Sequence, residues 1–201
     1  LLVVPASLVG NWRSEFEKFS PSLKIFYAHP SQVDRSELKD VPAAAAGYHA
    51  VVTTYSMLSR LDGIDETTWD YLVLDEAQAI KNPRTAQTRR VKSLSARAKI
   101  ALTGTPVENS AADLWSLFDF LNPGLLGTSS KFAKLLETED AYAKVRQLVS
   151  PYILRRLKID KTVIDDLPDK VEVRTDCPLT KGQAALYRKS VEELKREIAR
   201  E

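Results

Sequence analysis

Residues 71–78 read YLVLDEAQ, and the organisation of the whole chain follows from that stretch. Tyr71, Leu72, Val73 and Leu74 form a short unbroken apolar run, as expected of a strand buried on both faces of a parallel sheet. The run ends in two adjacent carboxylates, Asp75 and Glu76. Open α/β sheets bind ligands just outside the carboxyl ends of their strands, so these acids fall where a ligand would sit. Neighbouring carboxylates in such a turn point in different directions. One can hold a hydrated magnesium ion while the other orients or deprotonates a water attacking a γ-phosphate, so the pair suits nucleotide hydrolysis. Taken alone, the dipeptide is better explained as acids capping a following helix.

The same strand format recurs on both sides. LLVVP at residues 1–5 is apolar until Pro5, and Ser7 is then placed to N-cap a helix reaching about Phe19. Leu23–Tyr27, His49–Thr54 and Ala98–Leu102 are further short strands, separated by helix-length polar segments. Alternating strands and helices predict a doubly wound parallel sheet. From Ser110 the texture changes: Leu114, Leu117, Phe118 and Leu121 have the one-face spacing of an amphipathic helix, stopped by Asn122-Pro123-Gly124. Residues 131–136 and 141–157 are expected to be helices, Val171–Asp176 alternates like an edge strand, and Thr180–Arg200 reads as a charged helix opened by a Thr cap.

Composition excludes several classes of protein. The 201 residues are 44% apolar and 28% charged, which argues against disordered and low-complexity chains. Lys plus Arg number 29 against 27 Asp plus Glu, so the net charge of +2 indicates no partner and any nucleic-acid signal must come from placement. A single cysteine, Cys177, excludes an intrachain disulfide or a multi-cysteine zinc site and favours a reducing, intracellular location. His29 and His49 stand at no metal-ligand spacing, and no apolar run is long enough for a membrane span. The first ten residues lack the basic start and cleavage site of a leader, and their abrupt apolar opening suggests an internal piece of a longer protein.

A second strand end turns the balance at Asp75 and Glu76. ALTGTPVENS, residues 101–110, finishes an apolar strand with Thr103-Gly104-Thr105-Pro106, which brings two hydroxyls to the same sheet edge. With these residues the chain resembles the first motor lobe of Swi/Snf-type DNA translocases, ATPases of helicase superfamily two, and within them the bacterial and archaeal members carrying DEAQ. The matching segments run in order along nearly the whole chain: LLVVPASLVGNW as motif Ia, VVTTYSML as the next DNA-facing block and YLVLDEAQAIKN as motif II. IALTGTPVENSAADLWSLFDFLNPGLLG then resembles motif III running into a helical protrusion, and SPYILRRLKIDKTVIDDLPDK the segment leading toward a second lobe.

The resemblance implies an α/β fold: a parallel-sheet RecA-like motor lobe over residues 1–109, a helical protrusion and connection over 110–170, and the start of the inter-lobe segment over 171–201. It implies Asp75 as the Walker B carboxylate that holds Mg2+ through water, and Glu76 as the residue polarising the attacking water. Gln78 would couple nucleotide state to lobe closure, and Thr103, Gly104 and Thr105 would link the ATP site to DNA movement. Ser7, Thr53, Thr54, Lys81 and Asn82 would touch the double-stranded DNA backbone. Short hydroxyls and helix N–H groups are good phosphate ligands that read no sequence. Helix capping explains Ser7 equally well, and β-propensity explains the two threonines.

Residues 81–100 hold Lys81, Arg84, Arg89, Arg90, Lys92, Arg97 and Lys99 with no acid among them. This segment reads equally as part of a basic surface tracking a phosphate backbone or as a solvated face beside the motif II strand. Trp12, Trp69 and Trp115 are expected to be packing residues. None of the seven glycines opens a G-x-x-x-x-G-K-[ST] loop. The lobe is therefore read as incomplete, lacking the Walker A strand, loop and helix, and as unable to turn over ATP alone. The expected partners are duplex DNA, a second motor lobe of the same parent chain and a further protein, with ATP and Mg2+ as cofactors, in a cytoplasmic, nucleoid-associated setting. Two other readings are a non-catalytic DNA- or protein-binding module and a strand-separating helicase of the same superfamily.

Overall fold

A computed structural model of the chain describes residues 1–105, 111–156, 173 and 175–198. Five short strands, β1 (Leu2–Val4), β2 (Ile25–Tyr27), β3 (Ala50–Thr54), β4 (Trp69–Leu74) and β5 (Ala96–Ala101), form one sheet in the order β2-β3-β1-β4-β5. Every pairing is parallel: Val4 lies opposite Thr54, Val3 opposite Leu74, and Leu74 opposite Ala101. All carboxyl ends therefore line up along one edge. The strands expected from the apolar runs are all present, with ends displaced by one or two residues.

Side chains alternate across a strand, so an unbroken apolar run needs cover on both faces. Leu2, Val4 and Val52 pack on one face beneath Val9, Trp12 and Phe16 of helix α1 (Val9–Phe19). Val3, Phe26, Val51, Leu72 and Leu74 face the other way into the main core. That core includes Ile80, Val91 of helix α3 (Ala86–Ser93), and Leu117 and Phe120 of helix α4 (Ala111–Leu121). Helix α2 (Val41–Ala44) is a single turn capped by Asp40, whose carboxylate accepts from the Ala43 N–H at 3.0 Å.

Beyond the sheet, helices α5 (Ser129–Leu136) and α6 (Ala141–Val149) enclose a small second core of Phe118, Leu126, Phe132, Val145 and Val149. Helix α4 serves both cores, with Phe120 turned to the sheet and Phe118 to its helical neighbours. The first compact unit accordingly runs from Leu1 to Tyr152, whereas the sequence suggested a boundary after residue 109. The helix expected over 141–157 stops at Val149 and gives way to a 3-10 turn, Ser150–Tyr152, containing Pro151, whose ring and missing N–H do not continue an α-helix.

The second unit, Ile153–Glu201, contains helix α7 (Lys181–Ile198). Thr180 opens it as expected: its N–H donates to Gln183 Oε1 at 3.0 Å while the Gln183 N–H donates to Thr180 Oγ1 at 3.3 Å, a reciprocal capping box. Most of the strand expected at Val171–Asp176 lies outside the described residues, and Val173, Thr175 and Asp176 carry no regular structure.

Candidate active site at the carboxyl edge of the sheet

β4 sits between β1 and β5, so the residue leaving its end stands near the middle of the edge. That residue is Asp75, held in line by its N–H donating to the Val3 carbonyl at 2.9 Å. Glu76 follows in the left-handed region, φ 48° and ψ 53°, which is uncommon for a residue with a Cβ and persists only where its surroundings impose it. Here they do. The Glu76 N–H donates to Asp75 Oδ1 at 2.9 Å, the Ala77 N–H to the Leu102 carbonyl at 2.9 Å, and the Tyr55 hydroxyl to the Asp75 carbonyl at 2.8 Å.

The turn brings together the residues of two strand ends. Gln78 Nε2 donates to Glu76 Oε2 at 2.6 Å, Thr103 Oγ1 donates to Gln78 Oε1 at 2.7 Å, and the Thr105 N–H donates to Thr103 Oγ1 at 3.2 Å. A carboxylate only accepts, so it orients the amide of Gln78 with nitrogen toward Glu76 and oxygen free for the Thr103 hydroxyl. Glu76, Gln78, Thr103 and Thr105 thus form one hydrogen-bonded path, and Gly104 lies exposed between the two threonines. The sequence placed these residues at one edge; their order along a bonded path comes from the fold.

Two ring donors at Asp75 had no signal in the sequence. Trp12 Nε1 donates to Asp75 Oδ2 at 2.8 Å, so Trp12 is more than the packing residue its type suggested. Tyr55 is buried, and burial first, then the negative charges of Asp75 and Glu76, pushes its phenol well above the ordinary tyrosine range. It remains a proton donor. The contacts span 63 and 20 residues, which no local pattern can report.

Asp75 has the makings of a magnesium ligand acting through water. Each carboxylate oxygen takes one hydrogen bond and keeps further lone-pair capacity. Among the described residues no group of three or more His, Cys, Asp or Glu could cage a metal. Magnesium suits such a place, because it retains several waters and needs only one or two carboxylates beside the phosphates of its nucleotide.

The expected DNA contacts fare differently. Ser7 is exposed, as that role requires, but it lies inside a 3-10 turn, Ala6–Leu8, and caps nothing: the N-cap position of α1 is Leu8, which makes no side-chain cap bond. Thr53 and Thr54 are each 1% exposed, with the Thr53 hydroxyl donating to the Ala28 carbonyl at 2.9 Å and the Thr54 hydroxyl bonded to Ser56 at 3.1 Å. Their side chains are closed inside the sheet and reach no surface ligand, so Ser56 is the exposed hydroxyl of that segment. Asn82 is exposed, its Oδ1 accepting from the Arg84 N–H at 2.9 Å in an Asx turn, and Lys81 is half-buried.

Three cations of the basic segment are paired with acids from elsewhere in the fold. Arg90 grips both oxygens of Asp65 at 2.8 and 3.0 Å and also donates to the Leu58 carbonyl at 3.1 Å. Lys92 pairs with Asp119 at 2.7 Å, and Arg97 with Asp70 at 3.0 Å. Lys99 lies 4.9 Å from the centre of the Phe120 ring, and burial lowers its pKa against the pull of Asp119. Arg84 and Arg89 remain exposed.

Known proteins resemble this chain over nearly its whole length. A family profile described as an SNF2-related domain matches residues 1–200. A Bacillus subtilis protein named as an ATP-dependent helicase/translocase, YwqA, is 36% identical over 96% of this chain. The Drosophila chromatin-remodeling ATPase INO80 is 33% identical over 94%. The solved SWI2/SNF2 ATPase core of Sulfolobus solfataricus in complex with dsDNA superposes with a TM-score of 0.73 at 42% identity over the full chain. This chain spans 22% of the Bacillus protein, 13% of the Drosophila protein and 42% of the Sulfolobus chain.

Proposed function

This chain belongs to the SNF2-related domain family, and on that premise we propose that it supplies the water-activating and coupling half of an ATP-driven translocase acting on double-stranded DNA. The observation that carries the reading is the bonded path from Glu76 through Gln78 to Thr103, built beside Asp75 at the carboxyl edge of the sheet. A scaffold has no chemical need of an acidic residue held in a strained turn and tied to a second strand end.

Magnesium, bound with ATP, would neutralise phosphate charge as the γ-phosphoryl group leaves, and Asp75 is the residue to hold it through water. Gln78 engages Glu76 Oε2, which leaves Oε1 to orient the attacking water and take its proton. When Glu76 changes partner during turnover, the Gln78 amide must shift, and the Thr103 hydroxyl and Thr105 N–H shift with it. That is a physical route from hydrolysis to movement of the residues after β5. Ser7 and Ser56 follow the ends of adjacent strands and offer exposed hydroxyls to a phosphate backbone, with Lys81, Asn82, Arg84 and Arg89 as further contacts.

The residues of this chain do not complete the reaction. Its sequence contains no phosphate-cradling G-x-x-x-x-G-K-[ST] loop, and without backbone N–H groups and a lysine on the β- and γ-phosphates the chain alone would not turn over ATP. A second motor lobe supplying an arginine finger would restore a further factor of about 10³–10⁵ in rate. The test is DNA-stimulated phosphate release by the full-length protein carrying this chain. Turnover abolished by Glu76→Gln is expected; undiminished turnover in that variant, or DNA-stimulated turnover by residues 1–201 alone, overturns the corresponding part of the proposal. No helix among the described residues is long and apolar enough to cross a membrane, and the proposed setting is beside DNA.

A further inference from the structure

Asp75 is held by more than its own strand. Its three acceptor oxygens are each taken: Oδ1 by the following N–H, Oδ2 by the Trp12 indole and the main-chain oxygen by the Tyr55 phenol. The two donors from outside are both rings, fixed by packing. Trp12 lies 5.6 Å from the Phe16 ring within α1, and Tyr55 is 7% exposed in the main core. A rigid ring that hydrogen-bonds a group moves with it, whereas a lysine or serine in the same place could swing aside.

The two rings also come from the two segments that carry the exposed hydroxyls. Ser7 lies in the turn entering α1, the helix that bears Trp12, and Ser56 is the next residue after Tyr55. β1 runs between β3 and β4 and ends at Val4, so the Tyr55 side chain, leaving β3, reaches past the end of β1 to Asp75. A buried phenol left without its acceptor is costly, so displacement of residues 55–58 carries the Asp75 carbonyl along. That carbonyl belongs to the peptide whose rotation sets φ of Glu76, the residue held in the left-handed region.

We propose that Trp12 and Tyr55 are positioning residues: a two-ring clamp on Asp75 that transmits engagement of duplex DNA at the Ser7 and Ser56 segments to the Asp75–Glu76 turn. The clamp rests on the reading of this edge as a motor site, and it runs opposite in direction to the Gln78–Thr103 path, carrying DNA engagement inward to the carboxylates.

The experiment is hydrogen exchange of the full-length protein, read on peptides covering residues 75–78 with and without a short duplex DNA and in the absence of nucleotide. In the wild type, DNA is expected to slow exchange there about fivefold or more. In Tyr55→Phe and in Trp12→Phe that response falls below about twofold, while the amide of Leu102, on the β4–β5 ladder, exchanges as in the wild type. DNA affinity and KM for ATP stay within about threefold, and DNA-stimulated kcat drops about tenfold, the size of one lost hydrogen bond. A merely structural role would instead loosen Leu102 together with the turn. Variants that keep the wild-type response overturn the clamp, as does a wild type that binds duplex with no change at residues 75–78. A full-length protein that neither binds duplex nor hydrolyses ATP overturns the motor reading and the clamp together.

Discussion

Residues 75–78 and residues 84–99 are near neighbours in sequence and both are rich in polar groups, yet the fold treats them oppositely. The acidic turn stands at an open edge, where Asp75 and Glu76 bond neutral partners: an indole, a backbone N–H and a side-chain amide. In the basic segment three of the six cations, Arg90, Lys92 and Arg97, are paired with acids delivered from other elements, Asp65, Asp119 and Asp70. Hydrogen bonds from neutral donors leave a carboxylate charged and oriented, ready for a cation or a water. Ion pairs to distant acids instead turn cations into struts. A run of like charges is thus poor evidence of a site until the positions of opposite charges are known.

The largest test of this contrast sets Glu76→Gln against Arg97→Ala in the full-length protein. Glu76→Gln is expected to lower DNA-stimulated phosphate release by about 10²–10⁴, the range for losing a positioned base. Arg97→Ala, which removes a cation already paired with Asp70 on the surface, changes it less than about twofold. A loss below tenfold in Glu76→Gln would break the comparison, because the acidic turn would then be as structural as the basic segment.

Smaller effects sharpen it. Thr103→Val keeps the side-chain shape but removes the hydroxyl that donates to Gln78, so turnover should fall about tenfold with duplex affinity unchanged. Phosphate release and DNA titration separate the two. On the basic side, Arg90→Ala should cost about 1 kcal/mol of stability, read by thermal denaturation, because a bidentate pair and a carbonyl contact are lost together.

The Arg90 effect carries a pH signature. The hydrogen bonds from Arg90 hold the Asp65 carboxyl below its ordinary 3.8. A depressed carboxyl contributes stability above its unfolded value and loses it as pH falls through the folded one, so the gap between wild type and variant should narrow as pH falls below about 4, leaving the part due to the Leu58 carbonyl. Smallest of all is Arg97→Ala. The Arg97–Asp70 pair is 78% and 73% exposed, and its loss should shift the melting temperature by less than about 1 °C.

Much of the architecture was legible because local patterns carry it. LLVVP and YLVL are apolar on consecutive positions and both became interior strands of the sheet, but cover on both faces holds only for the first: Tyr71 stands 61% exposed. Thr180 with Gln183 fixed the start of α7 through a contact three residues apart. That Asp75 with Glu76 and Thr103 with Thr105 stand at one sheet edge was legible for the same reason, each pair being adjacent to a strand end. The failures were equally local. Ser7 has the right residue type for a cap, but the intervening 3-10 turn moves the helix start beyond its reach. Thr53 and Thr54 have hydroxyls suited to phosphate, but both lie buried in the sheet.

The sequence by itself therefore determined the strands, their parallel pairing through helical crossovers, and which acids and hydroxyls reach the carboxyl edge. Periodicity and chain punctuation act over a few residues, and those features need nothing more. Only the tertiary structure decided which cations are cancelled, which threonines are buried, and that Trp12 and Tyr55 close on Asp75 from 63 and 20 residues away. Such contacts depend on how separate elements stack and on which buried donors must find acceptors, and that is settled only when the sheet and its helices are packed together.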